Sequence, residues 1–97
     1  MADEFRKPPG DKLDYQIDWD DWLSLISDTI NASTWTADPT TGITISGPPA
    51  PSFTPVSAKV WISGGTLNQN YTIYNTITTV GGRIRTRYIT LFIRDKS

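Results

Sequence analysis

Residues 57–94 read SAKVWISGGTLNQNYTIYNTITTVGGRIRTRYITLFIR, three strand-like runs punctuated by Gly64-Gly65 and Gly81-Gly82. Apolar residues recur at every second position, the pattern of a pleated surface with one buried face. The side chains between them are mostly Thr, Asn, Tyr and Arg, which suit contact rather than chemistry. Toward the N-terminus, residues 13–19 alternate Leu13, Tyr15, Ile17 and Trp19 against Asp14, Gln16 and Asp18, as a strand with one polar face does. Asp20–Ile26 reads as a turn or a single helical turn, with Trp22, Leu23 and Ile26 placed to cap the end of a core. Residues 29–37 predict a second strand with Ile30, Ala32 and Trp35 as interior candidates, although Trp35 breaks its phase.

The middle of the chain is turn-rich. Asp38-Pro39-Thr40-Thr41-Gly42 is a turn by composition, and residues 43–46 a short strand. Gly47-Pro48-Pro49-Ala50-Pro51 cannot donate to a central ladder, so it is an exposed connection or a sheet edge, followed by a short edge strand around Phe53. With residues 58–63, 71–79 and 84–94 this makes about seven short strands, the pattern of an all-β, immunoglobulin-like or fibronectin-type β-sandwich over residues 13–97. Thr66-Leu67 just before Tyr71 resembles a tyrosine corner, in which the phenol bonds back to the preceding loop. Residues 1–12 lack periodicity and contain Pro8-Pro9-Gly10, which predicts an extended N-terminal arm, either disordered or ordered against a neighbour.

The last hairpin poses a register problem. A two-residue loop at Gly81-Gly82 would leave Ile89, Leu91 and Ile93 facing solvent. A three-residue loop, or a bulge near Arg87, shifts the phase by one and turns all three inward. The shifted register is the favoured one. Arg83, Arg85 and Arg87 then share the parity of the core face and must stand at the hairpin tip, beyond the core's edge. Trp61, Tyr74 and Phe92 turn outward. Several aromatics on one sheet face beside arginines have the composition of an interface core, unless a long loop or the arm covers them.

At 97 residues the chain is one domain with a modest core, burying about 60–65% of its unfolded surface. It contains neither cysteine nor histidine, which removes disulfides, thiolate metal sites and the commonest general base. The N-terminus has no apolar signal segment and no run approaches membrane-spanning length, so a soluble, non-secreted chain is expected, without membrane partners. Charge is uneven. Residues 1–28 carry eight carboxylates against three basic residues, whereas residues 83–97 carry five basic residues against one carboxylate. Opposite charges of this kind register a first strand beside a last one, or dock the acidic end of one subunit on the basic end of the next.

Candidate chemistry is sparse. Asp18-Trp19-Asp20-Asp21 lacks the spacing, glycine and terminal glutamate of a calcium loop and reads as a solvated acidic turn. A carboxylate pair for glycoside hydrolysis has no implied pocket. Gly81-Gly82-Arg83 joins two strands instead of opening a helix, so it is no phosphate loop. Four arginines beside an acidic half and a pI near 5.1 are a poor nucleic-acid footprint. No enzyme activity, metal or cofactor is expected. The candidate contact residues are Asp14, Asp18, Asp20, Asp21, Trp61, Tyr74, Arg83, Arg85, Arg87 and Phe92.

DYQIDWDDWL, TINASTW, KVWISGGT and NYTIYNTITTVGGR closing on YITLFIR together resemble the fiber–tail adaptor proteins of tailed bacteriophages. The positions that carry the likeness are Asp18-Trp19, Trp61 to Thr66, Tyr71 to Thr79 and Gly82-Arg83. The resemblance implies a virion structural protein, repeated around the tail axis in a ring-like homo-oligomer, that attaches receptor-binding fibers to the tail. Its implied partners are the tail proteins and the tail fiber of the same virion, after synthesis in the host cytoplasm. The alternative is a monomeric carbohydrate- or cell-surface-binding module whose exposed aromatics stack on sugar rings.

Overall fold

In the computed structural model, which describes residues 3–47 and 49–94, the chain is an all-β sandwich of two sheets with one short helix. Its elements are β1 (Asp3–Lys7), β2 (Lys12–Asp18), α1 (Asp20–Ile26), β3 (Ile30–Asp38), β4 (Ile43–Thr44), β5 (Ser52–Phe53), β6 (Ser57–Gly64), β7 (Asn70–Thr79) and β8 (Ile84–Ile93). One sheet has the order β1-β8-β7-β3. The other has the order β2-β6-β4, with β5 also paired to β6. All seven expected strands are present, and β1 is additional.

The alternation of β2, β6, β7 and β8 places one face of each between the sheets. Tyr15 and Ile17 meet Ala58, Val60 and Ile62 from one side, and Tyr71, Ile73, Ile77, Ile89, Leu91 and Ile93 from the other; all are buried. Each buried aliphatic side chain of this size contributes about 1.5–3 kcal/mol. The β7–β8 register pairs Tyr71 with Leu91 and Ile73 with Ile89. The loop that sets it is Val80-Gly81-Gly82, closed by Thr79 N–H donating to Arg83 O (2.8 Å) and Gly82 N–H to Thr79 O (3.0 Å). Gly82 takes φ 92°, a three-residue loop with a left-handed last position. Ile89, Leu91 and Ile93 therefore face inward, as the shifted register requires.

Strand β3 departs from its expected phase. A bulge between Ile30 and Ala32 offsets the ladder by one residue, so Ile30 is buried and Ala32 is exposed. Beyond the bulge Trp35 and Ala37 share the inward phase, and Trp35 packs against the core. The expectation that Ala32 lies inside is corrected by that extra residue.

Tyr71 forms the predicted corner. Its hydroxyl accepts from Thr66 N–H (3.0 Å) and donates to Thr41 O (2.9 Å). Gly42 closes on this corner at φ 78°, where a Cβ would lie 2.7 Å from Thr66 Oγ1. Gly65 has φ 106°, and a Cβ there would fall 2.6 Å from Ile93 Cδ1. Gly65 is thus dictated by close approach of the β6–β7 connection to the end of β8, whereas Gly64, at φ 77°, faces the Gly42 carbonyl of the β3–β4 turn.

Candidate interaction surfaces

The end of the sandwich at the β7–β8 turn is closed by α1. The N-cap position is Trp19; Asp18 just before it accepts from Asp20 N–H (3.0 Å), and Asp20 and Asp21 lie in the first turn, where carboxylates suit the helix dipole. The helix stops at Ser27, left-handed at φ 53°, and Asp28 N–H reaches back to Leu23 O. Leu23 is buried, while Trp22 and Ile26 pack against the core, so this segment caps it as expected.

The arginines of β8 cover the helix from the other side. They carry core-face parity but lie beyond Ile89, the last inward apolar residue of β8, with Arg87 opposite Asn75 and Arg85 opposite the buried Ile77, so they overhang the core's edge instead of standing wholly beyond it. Arg87 lies over the Trp19 ring (4.4 Å), donates to Asp18 O (2.9 Å) and pairs with Asp21 (3.1 Å). Arg85 lies over the Trp22 ring at 4.8 Å. Arg83 pairs with Asp28 at 2.9 Å. The Asp28 carboxylate also accepts from Thr29 and Gly81 N–H. Hydrogen bonding to Thr79 leads in lowering its pKa; burial opposes, the Thr29 and Gly81 amides and Arg83 add to it, and the result is about 2. Asp21, Asp28, Arg83 and Arg87 therefore meet within one chain, through the helix and its exit and not through pairing of a first strand with a last one.

Beneath Arg87, a buried hydrogen-bond hub crosses the core. Asn75 accepts from Trp19 Nε1 (2.9 Å) and gives its two amide hydrogens to Ser33 Oγ (2.8 Å) and Thr34 O (3.0 Å). Both Asn75 and Trp19 are fully buried.

The outward aromatics are split between the two sheets. Tyr74 and Phe92 lie on the outer face of the β1-β8-β7-β3 sheet, where Tyr74 meets Tyr88 (5.9 Å between rings) and Arg94 lies over Phe92 (5.6 Å). Between and around them run threonines, two of which, Thr76 and Thr86, share a hydrogen bond (2.9 Å). Trp61 belongs to β6 and stands on the outer face of the opposite sheet, across from Asp14, which pairs with Lys59 at 3.8 Å. The expectation of one face shared by Trp61, Tyr74 and Phe92 is corrected: β6 and β7 are consecutive but join different sheets. Of the remaining candidates, Asp20 is exposed on the helix.

Several surface features were not anticipated. Tyr88 is 46% exposed and shares the outward parity of Phe92, a signal already present in the shifted register. Leu25, Val80 and Ile84 are the most exposed large apolar side chains, and all three lie at the α1 end. A groove of about 380 Å³ opens beside β3, lined in part by Trp35, Ala37, Ile43 and Ile45. The N-terminal arm is partly ordered on its own chain. β1 runs parallel to the end of β8, from Asp3 opposite Ile89 to Lys7 opposite Ile93. Phe5 meets the Tyr15 ring (5.1 Å), and the buried Lys7 Nζ donates to the carbonyls of Pro8 (2.8 Å) and Gly64 (2.6 Å). Burial pushes the Lys7 pKa down, and nearby Asp11 opposes it.

A family model described as podophage GP4 fiber-tail adaptor protein gp77 matches residues 7–92. No curated protein matches the chain.

Proposed function

Because the chain belongs to the podophage fiber-tail adaptor family, we propose that it is a virion structural protein that joins tail fibers to the tail through repeated side-by-side copies. The family match carries this reading, and the architecture supports it. An adaptor needs a rigid body with separate contact surfaces, and the sandwich offers two outer sheet faces and an apolar, helix-capped end. The strand order and the Tyr71 corner also support an immunoglobulin-like reading of the sandwich.

Within this reading the outer face bearing Tyr74, Tyr88 and Phe92 is the principal contact surface. Aromatic anchors near the centre of an interface supply most of its energy, about 2 kcal/mol or more each. Arg87 and Arg83 serve chiefly to hold α1 and the hairpin turn, so charge reversal there tests folding before it tests assembly. The informative variant is Tyr74→Ala with Tyr88→Ala, which removes an outward ring pair and leaves the core intact. Its circular dichroism should match the parent, while native mass spectrometry with tail components should show loss of assembly. Wild-type-like assembly would refute the assignment of this face. Saturable glycan binding by a monomer, abolished in the same variant, would favour the carbohydrate-binding alternative.

A further inference from the structure

β1 is a short strand at the open edge of its sheet. It is five residues long and pairs in parallel, which is slightly weaker per residue than antiparallel pairing. Phe5 is 36% exposed, so the strand's firm anchors are backbone pairing and the Lys7 ammonium. The connection to β2 is Pro8-Pro9-Gly10-Asp11, a tight turn closed by Asp11 N–H donating to Pro8 O at 3.3 Å. Pro9 and Gly10 suit the two central positions of this turn, while Pro8, placed before a proline, keeps extended backbone whether the turn is closed or straightened, so both forms of the hinge are stereochemically open.

Resting on the reading that copies stand side by side, we infer that β1 is exchanged between neighbours in the assembly. The Asp3–Lys7 strand of one copy then pairs with the Ile89–Ile93 segment of the next. The occupant of that edge is specified by the intrachain pairing itself, since an identical strand from a neighbour remakes each contact in the same register. Phe5 would lie on the neighbour's Tyr15, and Lys7 Nζ would reach the neighbour's Gly64 carbonyl. Only the hinge changes conformation. Four hinge residues, extended, span roughly 13 Å. The molecule measures 25 by 20 Å across its shorter axes, so the hinge reaches only a copy already in contact. In an assembly the effective concentration of a tethered neighbour reaches about the millimolar range, which lets exchange compete with self-pairing.

The chain has no cysteine, so introduced pairs give an unambiguous test. Glu4 and Thr90 are register partners. Full-length Glu4→Cys and Thr90→Cys proteins would be mixed, assembled to the oligomer seen by native mass spectrometry, and oxidised. A disulfide-linked pair of different chains is the expected product, absent when Thr34→Cys on β3 replaces Thr90→Cys. Oligomers without that cross-link, while a Glu4→Cys/Thr90→Cys double variant closes within one chain, would overturn exchange and leave the repeated-copy reading standing. No oligomer under any condition, with or without tail components, would overturn both.

Discussion

Replacing Asn75 by leucine probes the buried hub that ties α1's entrance to the β3–β7 sheet. Leucine keeps asparagine's branched heavy-atom skeleton but ends in bulkier methyl groups, so the main loss is of hydrogen bonds, with overpacking of a fully buried site adding to it. Three bonds disappear, worth about 1 kcal/mol each net, and the Trp19 indole N–H is stranded in a fully buried site, costing about 1–3 kcal/mol more. Added apolar burial offsets about 1–2 kcal/mol. A net destabilisation of roughly 2–5 kcal/mol follows, or a fall in Tm of roughly 10–25 °C for a domain of this size. The assay is urea denaturation followed by circular dichroism, run as a double-mutant cycle with Trp19→Phe. Phenylalanine has no N–H to strand, so Asn75→Leu should cost about 1–2 kcal/mol less in that background. Additivity within about 0.5 kcal/mol would show that the 2.9 Å contact carries no coupling, and the hub would have to be abandoned.

Other perturbations test other parts of the fold. Tyr71→Phe removes the two corner bonds and should lower stability by about 1–3 kcal/mol in the same urea assay; an unchanged midpoint would mean the corner is ornamental. Gly65→Ala drives a methyl against Ile93 and should cost more than Gly82→Ala, whose site is strained in φ but open; the reverse order in thermal melts would contradict the β6–β7 approach. The Asp28 carboxyl, held down at about 2, contributes stability that is present above the unfolded value of about 3.9 and is lost as pH falls from there toward 2. The urea midpoint of the parent should therefore drop more steeply over that interval than that of Asp28→Asn; parallel pH curves would remove Asp28 as the cause.

The legible parts of this fold were those written in a local period. Strands β6, β7 and β8 alternate cleanly, and the three-residue turn could be inferred because only that register buries Ile89, Leu91 and Ile93. The inward phase of β3 was not legible, since the bulge at Ile30 leaves no mark in composition. Residues 3–7 could not be read as a strand because one of the two inward side chains described there is a lysine, which pattern assigns to solvent. Its burial depends on carbonyls of residues 8 and 64, one of them far along the chain. The contact residues suffered from the same distance. Parity showed that Trp61 and Tyr74 point away from the core, but which sheet each strand joins is settled by long-range pairing. The arginines' partners proved to be indole faces and a backbone carbonyl as well as carboxylates, and charge counting sees only the last.

The guanidinium groups laid over Trp19 and Trp22 make helix and hairpin a matched set. Inserting a residue pair on each strand between the Ile89–Ile73 row and the arginines would carry Arg85 and Arg87 past the rings they cover, and deleting one there would draw them toward the aliphatic interior. A chimera that borrowed the hairpin without its helix, or the helix without its hairpin, would inherit an unfinished rim. Engineering at this end must therefore move both pieces as a single cassette.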